Sequence, residues 1–238
     1  MLPLTIPPIP KKGVEKLLQS FPTLTKHKVF HVGDLENPRQ INGDFEGPLL
    51  SVSSHPDAWR KIARLGNSPT WRIVGVRPHS KKSAKTDTRL CFLDARTLKK
   101  KPDSHLQWAA SLGLVTPAIR WAAEIPIGED DEMGISLHPT LEEATIEHHG
   151  HLPPKETNVW DSGQELTAFW NQRKPENTPL NPGLTETAVL ALLIELGAAI
   201  NPELPDGIWW TDILNPCNYS APRGGISPSK PHKTLFQN

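Results

Sequence analysis

The chain has 238 residues, and its composition is that of a globular protein without a dominant charge. Lysine and arginine together number 26, as do aspartate and glutamate, so no net field draws the chain onto nucleic acid or an anionic membrane. The most apolar run, residues 188–200, is too short and too interrupted to cross a bilayer. We therefore expect one soluble globular domain over residues 1–238, without membrane contact and without a strong nucleic-acid signal.

The two ends of the chain and its cysteines predict a cytoplasmic setting. Prolines at positions 3, 7, 8 and 10 stand where a secretory signal has its apolar core, and they predict an extended arm over about residues 1–12. Cys91 and Cys217 are too few for a disulfide framework. The polar, proline-bearing end predicts a loosely held tail over about residues 227–238.

Hydrophobic periodicity and turn residues predict short elements along the chain. Helices are expected after a cap at Ser54, at residues 106–112, after caps at Thr140 and Ser162, and at 185–200, with a short helix at 14–19. Strands are expected at residues 29–32, 49–53, 71–76, 89–93, 119–125, near 134–137 and near 207–212. Residues 78–88 are predicted to form a mobile loop. The pattern predicts an α+β fold with a mixed, mainly antiparallel sheet of short strands packed with four or five helices.

Two predicted strands near the N-terminus carry polar side chains among apolar ones. A neutral His31, two residues before Gly33, is suited to bonding a ribose hydroxyl or acting as a base, or to satisfying its nitrogens within a polar layer of the fold. Ser51 and Ser53 are two residues apart, so their hydroxyls share one face of the sheet. They are suited to orienting a substrate, or equally to a structural role at the strand end.

A late aromatic segment and the turn after it are the other candidates. Trp209 and Trp210 precede Asp212, and in a regular strand Trp210 and Asp212 share a face, which suits a cationic heteroaromatic ring or an oxocarbenium ion. The alternative places both indoles in the core and Asp212 in a turn. The glycine-bearing turn at Arg223 presents N–H groups and a guanidinium that suit a phosphate, or is simply structural.

Signatures of metal and nucleophile chemistry are absent from the sequence. His148, His149 and His151 lack a zinc-binding spacing, so no metal is expected. The chain has no Gly-x-Ser-x-Gly motif, which leaves serine hydrolase chemistry with little support.

The order of these motifs resembles the ADP-ribosyltransferase superfamily. In that family an early strand carries His or Arg, a second strand has a Ser-x-Ser pattern leading into a helix, and a late strand carries an acid. Residues 30–33 look like the first motif, residues 51–53 like the second, and Asp212 is the nearest match to the third, although the family acid is normally glutamate.

The resemblance implies that NAD is the substrate and assigns roles to eight residues. The implied catalytic residues are His31, Ser51, Ser53 and Asp212, and the implied NAD-binding residues are Gly33, Trp209, Trp210 and Arg223. By the same resemblance, His31 and the serines position the nicotinamide ribose, and Asp212 stabilises the oxocarbenium ion. Trp210 is expected to stack on nicotinamide.

We therefore expect an ADP-ribosyltransferase-like enzyme that acts on an unknown, macromolecular acceptor, consistent with a toxin or defence role. The alternative is a noncatalytic protein-binding module that uses exposed tryptophans, proline-rich segments and the basic residues Arg60, Lys61 and Arg64. A hydrolase using Glu124, Asp131 and Asp212 is a third option, which lacks a paired-carboxylate spacing.

Overall fold

The computed structural model describes residues 9–35, 49–76, 88–96, 103–126, 133–173, 183–215, 217 and 220–237. The chain divides into two compact units, of which the smaller contains Ala109–Val189 and the larger contains Pro10–Trp108 and Leu190–Asn238. The expectation of a single domain stays a prediction, because compactness does not show which segments fold independently. Residues 1–8 of the predicted arm and residues 78–87 of the predicted loop lie outside the described residues, and a helix begins at Lys11, where the arm was expected to continue to about residue 12.

The α+β class is confirmed. The elements in chain order are α1 (Lys11–Ser20), β1 (Thr23–Lys26), β2 (Val29–Val32), β3 (Leu50–Ser53), α2 (Pro56–Ile62), β4 (Thr70–Gly75), β5 (Leu90–Asp94), α3 (Asp103–Ser111), β6 (Val115–Pro126), β7 (Met133–His138), α4 (Leu141–Glu147), β8 (Lys155–Ser162), α5 (Gln164–Arg173), α6 (Glu186–Ile200), β9 (Gly207–Thr211), β10 (Arg223–Ile226) and β11 (His232–Gln237). The described residues thus contain more strands than the sequence predicted.

Helix starts follow the sequence signals at some positions and depart from them at others. Thr140 caps α4 as predicted, because its hydroxyl accepts from the Glu143 N–H at 3.2 Å. The predicted cap of α2 at Ser54 is wrong. His55 is the N-cap residue there, and its N–H donates to the Ser53 hydroxyl at 2.9 Å. The strand end, rather than the helix, therefore supplies the oxygen that satisfies this N–H.

The larger unit is built on an eight-stranded sheet in the order β1-β5-β9-β10-β3-β2-β4-β11. All neighbouring strands are antiparallel except β5 and β9, which are parallel. Only two residues separate β1 from β2 along the chain, although these strands hold the first and sixth places in the sheet. The sheet therefore curls round until its β1 end returns to β2.

Curling gives the sheet an inner face and an outer face. The inner face is filled by one apolar cluster whose buried members all come from strands: Val29, Leu50, Val52, Ile73, Leu90, Phe92, Trp209 and Ile226. On the outer face, Trp59 of α2 packs with Val32 and Ala221 in a second cluster. Because side chains alternate between faces along a strand, each site strand contributes residues to both environments.

The C-terminal segment differs from the expected loose tail. Residues 232–237 form β11, which pairs in antiparallel register with the whole of β4, from His232 opposite Gly75 to Gln237 opposite Thr70. The preceding residues are also anchored, because the hydroxyls of Ser227 and Ser229 each donate to the buried Glu195 carboxylate of α6 at 2.8 Å. Composition missed this order because the partners lie far away in the sequence.

The smaller unit contains a three-stranded antiparallel sheet in the order β7-β6-β8. The long central strand β6 pairs with β8 from Val115 opposite Ser162 to Ala122 opposite Lys155. Helix α4 packs on β6 and β7, and its Ala144 is fully buried. Within the ranges that the structure describes, no helix of either unit is long and apolar enough to cross a membrane.

Lys230 fastens the end of α6 in the larger unit. This lysine is 3% exposed, and its ammonium group donates to the carbonyls of Asn201 (3.3 Å), Pro202 (2.7 Å) and Leu204 (2.8 Å). These carbonyls belong to the segment that directly follows α6, and the helix dipole favours a cation at this end of the helix. Three charge-assisted bonds in a buried position make this contact a strong anchor for the segment before β11.

We predict that Lys230→Met lowers the free energy of unfolding by about 3 kcal/mol, because three carbonyls, of which that of Leu204 is bonded in a buried position, lose a charged donor. Urea denaturation monitored by circular dichroism measures the change. Lys233→Met is the matched control, since Lys233 is exposed on β11. Equal stability of the two variants would contradict the anchoring role.

Candidate functional site

The strands that carry the predicted site residues are neighbours in the larger unit. β9, β10, β3 and β2 follow one another in the sheet, so residues more than 170 positions apart meet within four strands. The register places Ser53 opposite both Phe30 and Arg223, and Ser51 opposite Gly225. The sequence motifs are therefore brought together at the level of strands.

His31 lies on the inner face of the curled sheet and is only 3% exposed. It follows Val29, a member of the inner cluster, by two residues, and its Nδ1 donates to the Ser51 carbonyl at 2.8 Å. Burial is the main cause that lowers the pKa of His31, and it outweighs the main-chain groups of Ser51 and Asp34, which favour the charged ring. The imidazole is therefore neutral near pH 7 and ties β2 to β3.

Gly33 follows β2 in a backbone conformation with φ of 139°, which favours glycine. Its N–H donates to the Pro69 carbonyl at 2.9 Å, and its carbonyl accepts from the Trp71 indole at 3.0 Å. Both main-chain polar groups of Gly33 thus have partners within the protein.

Trp209 and Trp210 point to opposite faces of the sheet. A Cβ atom added at Gly224 would approach Trp209 Cε3 to 2.6 Å, whereas one added at Gly225 would approach Trp210 Cη2 to 2.9 Å. Trp209 is fully buried in the inner cluster, and Trp210 is half-buried on the outer face. The indoles do not form one continuous stacking surface.

A bulge separates Trp210 from Asp212. Arg223 of β10 pairs with Thr211 and Gly224 pairs with Trp209, which leaves Trp210 as the extra residue. The predicted common face of Trp210 and Asp212 is therefore not observed. Asp212 instead accepts from the Trp209 indole at 2.8 Å.

Asp212 belongs to a charged cluster at one end of the sheet. Lys26 donates to its carboxylate at 3.2 Å and lies 4.3 Å from the centre of the Trp209 ring, and Arg96 donates to its other oxygen. Arg96 also pairs with Asp94 at 2.7 Å, which is the main reason why the pKa of the Asp94 carboxyl is lowered. Partial burial is the main cause that lowers the pKa of Lys26. The Asp212 carboxylate thus forms ion pairs with two cations.

The outer face carries the side chains of the two serines, Trp210 and Arg223. The Arg223 guanidinium carbon lies 5.3 Å from the centre of the Trp59 ring, and Ser53, opposite Arg223, donates to the Pro222 carbonyl at 2.5 Å. This cation–aromatic contact brings α2 into the site. The predicted sharing of one face by Ser51 and Ser53 agrees with this register.

Two buried polar atoms on this outer face lack partners. Neither Ser51 Oγ nor Trp210 Nε1 has a hydrogen-bond partner among the described residues, although both atoms are inaccessible to solvent. Gly225 lies between them, opposite Ser51 in the register and beneath the Trp210 ring. An unsatisfied buried polar group costs about 1–3 kcal/mol. Other buried polar atoms of the described residues also lack a partner, such as His31 Nε2 and Arg72 Nε, but Ser51 Oγ and Trp210 Nε1 belong to residues that both lie against Gly225 on one face of the sheet.

Seven of the eight predicted residues divide between two environments, and Gly33 lies just after β2 with both of its main-chain polar groups bonded. His31 and Trp209 are on the inner face with Asp212 bonded at its end, whereas the serines, Trp210 and Arg223 are on the outer face. A single cleft lined by all of them is not observed. Sequence reasoning missed Trp59, Lys26 and Arg96. Of these three residues, only Trp59 had a signal in the sequence, because it lies in the helix that was expected to follow the Ser-x-Ser strand.

No family model, curated protein or solved structure matches this chain. Among the ranges described, no group of three or more His, Cys, Asp and Glu side chains is arranged to hold a metal ion. Asp131, which the hydrolase option requires, lies outside the described residues.

The buried His31 predicts a pH-dependent stability. Its folded-state pKa lies below the reference value of 6.5, so the unfolded chain binds the proton first as the pH falls. The stabilisation is therefore fully present above 6.5 and is lost as the pH falls toward the folded-state pKa. We expect His31→Asn, which keeps an N–H near the position of Nδ1, to lose less stability than the wild type between about pH 7.5 and about pH 5.5.

Urea denaturation at the two pH values measures this difference. His27→Asn is the matched control because His27 is exposed in the turn before β2. An identical pH dependence in the wild type and His31→Asn would show that His31 is not buried as a neutral ring.

Proposed function

We propose that this protein binds NAD on the outer face of the larger unit and transfers its ADP-ribose to an acceptor. The observation that carries the proposal is the unsatisfied pair of Ser51 Oγ and Trp210 Nε1. A carboxamide such as that of nicotinamide accepts one hydrogen bond at its oxygen and donates others from its nitrogen. The indole N–H and the serine hydroxyl supply the matching donor and acceptor.

The surrounding residues support the same ligand. Trp210 is half-buried, so movement of its indole would admit a flat ring that then stacks on it. Arg223, oriented against Trp59, supplies positive charge for the diphosphate. His31 acts in this proposal as a positioning residue, because its bond to the Ser51 carbonyl fixes β3 from the inner face.

The proposed transfer breaks the glycosidic bond between the ribose carbon and the nicotinamide nitrogen. The bonding electrons leave with nicotinamide, and the resulting oxocarbenium ion is captured by a nucleophile of the acceptor, which loses a proton. Asp212 is the proposed stabiliser of the developing positive charge, and it would act from the end of the sheet, since it does not share the face of Trp210. Its ion pairs with Lys26 and Arg96 hold the carboxylate in one orientation and partly neutralise its negative charge.

Titrating NAD while following tryptophan fluorescence tests the binding step. We expect saturable quenching in the wild type and its loss in Trp210→Ala. Trp210→Phe keeps a ring but removes the N–H, so we expect NAD to bind it about tenfold more weakly. Trp121→Phe, in the smaller unit, is the matched control with unchanged affinity. If millimolar NAD causes no quenching and no nicotinamide is released, the proposal fails and partner docking is favoured.

The proposed role of Asp212 is tested by Asp212→Asn, which keeps an acceptor for the Trp209 indole but removes the charge. We expect NAD affinity to persist while the rate of nicotinamide release falls about a hundredfold. Asp94→Asn is the control, because Asp94 belongs to the same charged cluster but has no proposed contact with NAD. Equal rate losses in the two variants would assign Asp212 a purely structural role.

A further inference from the structure

A groove with a volume of about 600 Å³ opens beside the outer-face site. Phe30 of β2 lies along it, directly opposite Ser53 in the register. Helix α2 contributes Pro56, Asp57 and Arg60 to the lining. The groove volume falls within the range of about 300–1,000 Å³ that is usual for small-molecule sites.

One wall of the groove is held in place by Arg60. Its guanidinium donates to the carbonyl of Gly66 at 3.2 Å, to the carbonyl of Ser68 and to the hydroxyl of Thr70. These bonds tie α2 to the segment that leads into β4. A wall fixed before binding lowers the entropy cost of binding a ligand.

The lining suits a flat, neutral ring with polar edges. Phe30 supplies a half-buried aromatic ring, and Pro56 adds an apolar surface. Asp57 is exposed and supplies a carboxylate acceptor, while the exposed Asn67 supplies both a donor and an acceptor. Asp57 and Arg60 carry opposite charges, and the Lys28 ammonium group lies 5.7 Å from the centre of the Phe30 ring, so a neutral ring is favoured over a cationic one.

We propose that this groove binds the adenine base of NAD, stacked on Phe30 with its exocyclic amine donating to Asp57. The choice of ligand rests on the proposed function, since NAD carries this base, whereas the groove itself is recognised independently. Phe30 and Ser53 are paired residues on the neighbouring strands β2 and β3, so a dinucleotide bound at the serines has to span only the distance between two adjacent strands to reach the groove.

Calorimetric titration with adenosine tests the groove without any catalytic step. We expect Phe30→Leu to weaken adenosine binding about tenfold, because a base–aromatic stack is lost. Asp57 is exposed, so we expect Asp57→Ala to fold like the wild type. We expect the wild type to bind adenosine about tenfold more tightly than purine riboside, which lacks the amine, and Asp57→Ala to lose this preference.

Lys61→Ala is the control on α2, with unchanged adenosine affinity expected. Absence of adenosine binding at millimolar concentration, or equal affinities in wild type, Phe30→Leu and Asp57→Ala, would overturn the inference. Nicotinamide release separates the two proposals. If the protein binds adenosine but releases no nicotinamide from NAD, only the transferase proposal is wrong. If it releases nicotinamide and the KM for NAD is unchanged in Phe30→Leu, only the assignment of the groove is wrong.

Discussion

The organisation of the larger unit depends on the two-residue connection between β1 and β2. Because these strands hold the first and sixth places of the sheet, the sheet has to curl, and curling encloses an inner face. Apolar side chains from six strands fill that space, with Trp209 as the largest of the fully buried residues. Burial of apolar surface stabilises this arrangement, and the strand order of the site follows from it.

Curling also gives neighbouring site residues different roles. Strand geometry sends alternate side chains to opposite faces, so His31 is enclosed while Ser51 and Ser53 are on the outer face. The inner residues form a scaffold, in which His31 holds the Ser51 carbonyl and Trp209 orients Asp212. The outer residues, with Trp210 and Arg223, are the ones available for the proposed NAD contacts.

Some buried polar groups have all the hydrogen-bond partners they need within the protein, and others leave room for a ligand to supply one. Glu195 accepts from two serine hydroxyls, and Lys230 donates to three carbonyls, so these buried charges are well satisfied. Ser51 Oγ and Trp210 Nε1 have no comparable partners in the part of the chain that is described. Other buried atoms in the described ranges also lack partners, but this pair carries the proposal because its two residues lie against the same glycine on the outer face.

The sequence by itself determined the α+β class, the position of most helices, the Thr140 cap and the shared face of Ser51 and Ser53, because these features follow from local periodicity and capping. Only the tertiary structure decided that residues 232–237 pair with β4, that a bulge turns Trp210 away from Asp212, and that Lys26 and Arg96 meet Asp212. Local patterns specify which face a side chain occupies along its own strand. They do not specify the partner strand or its register, which are set by contacts between residues far apart in the chain.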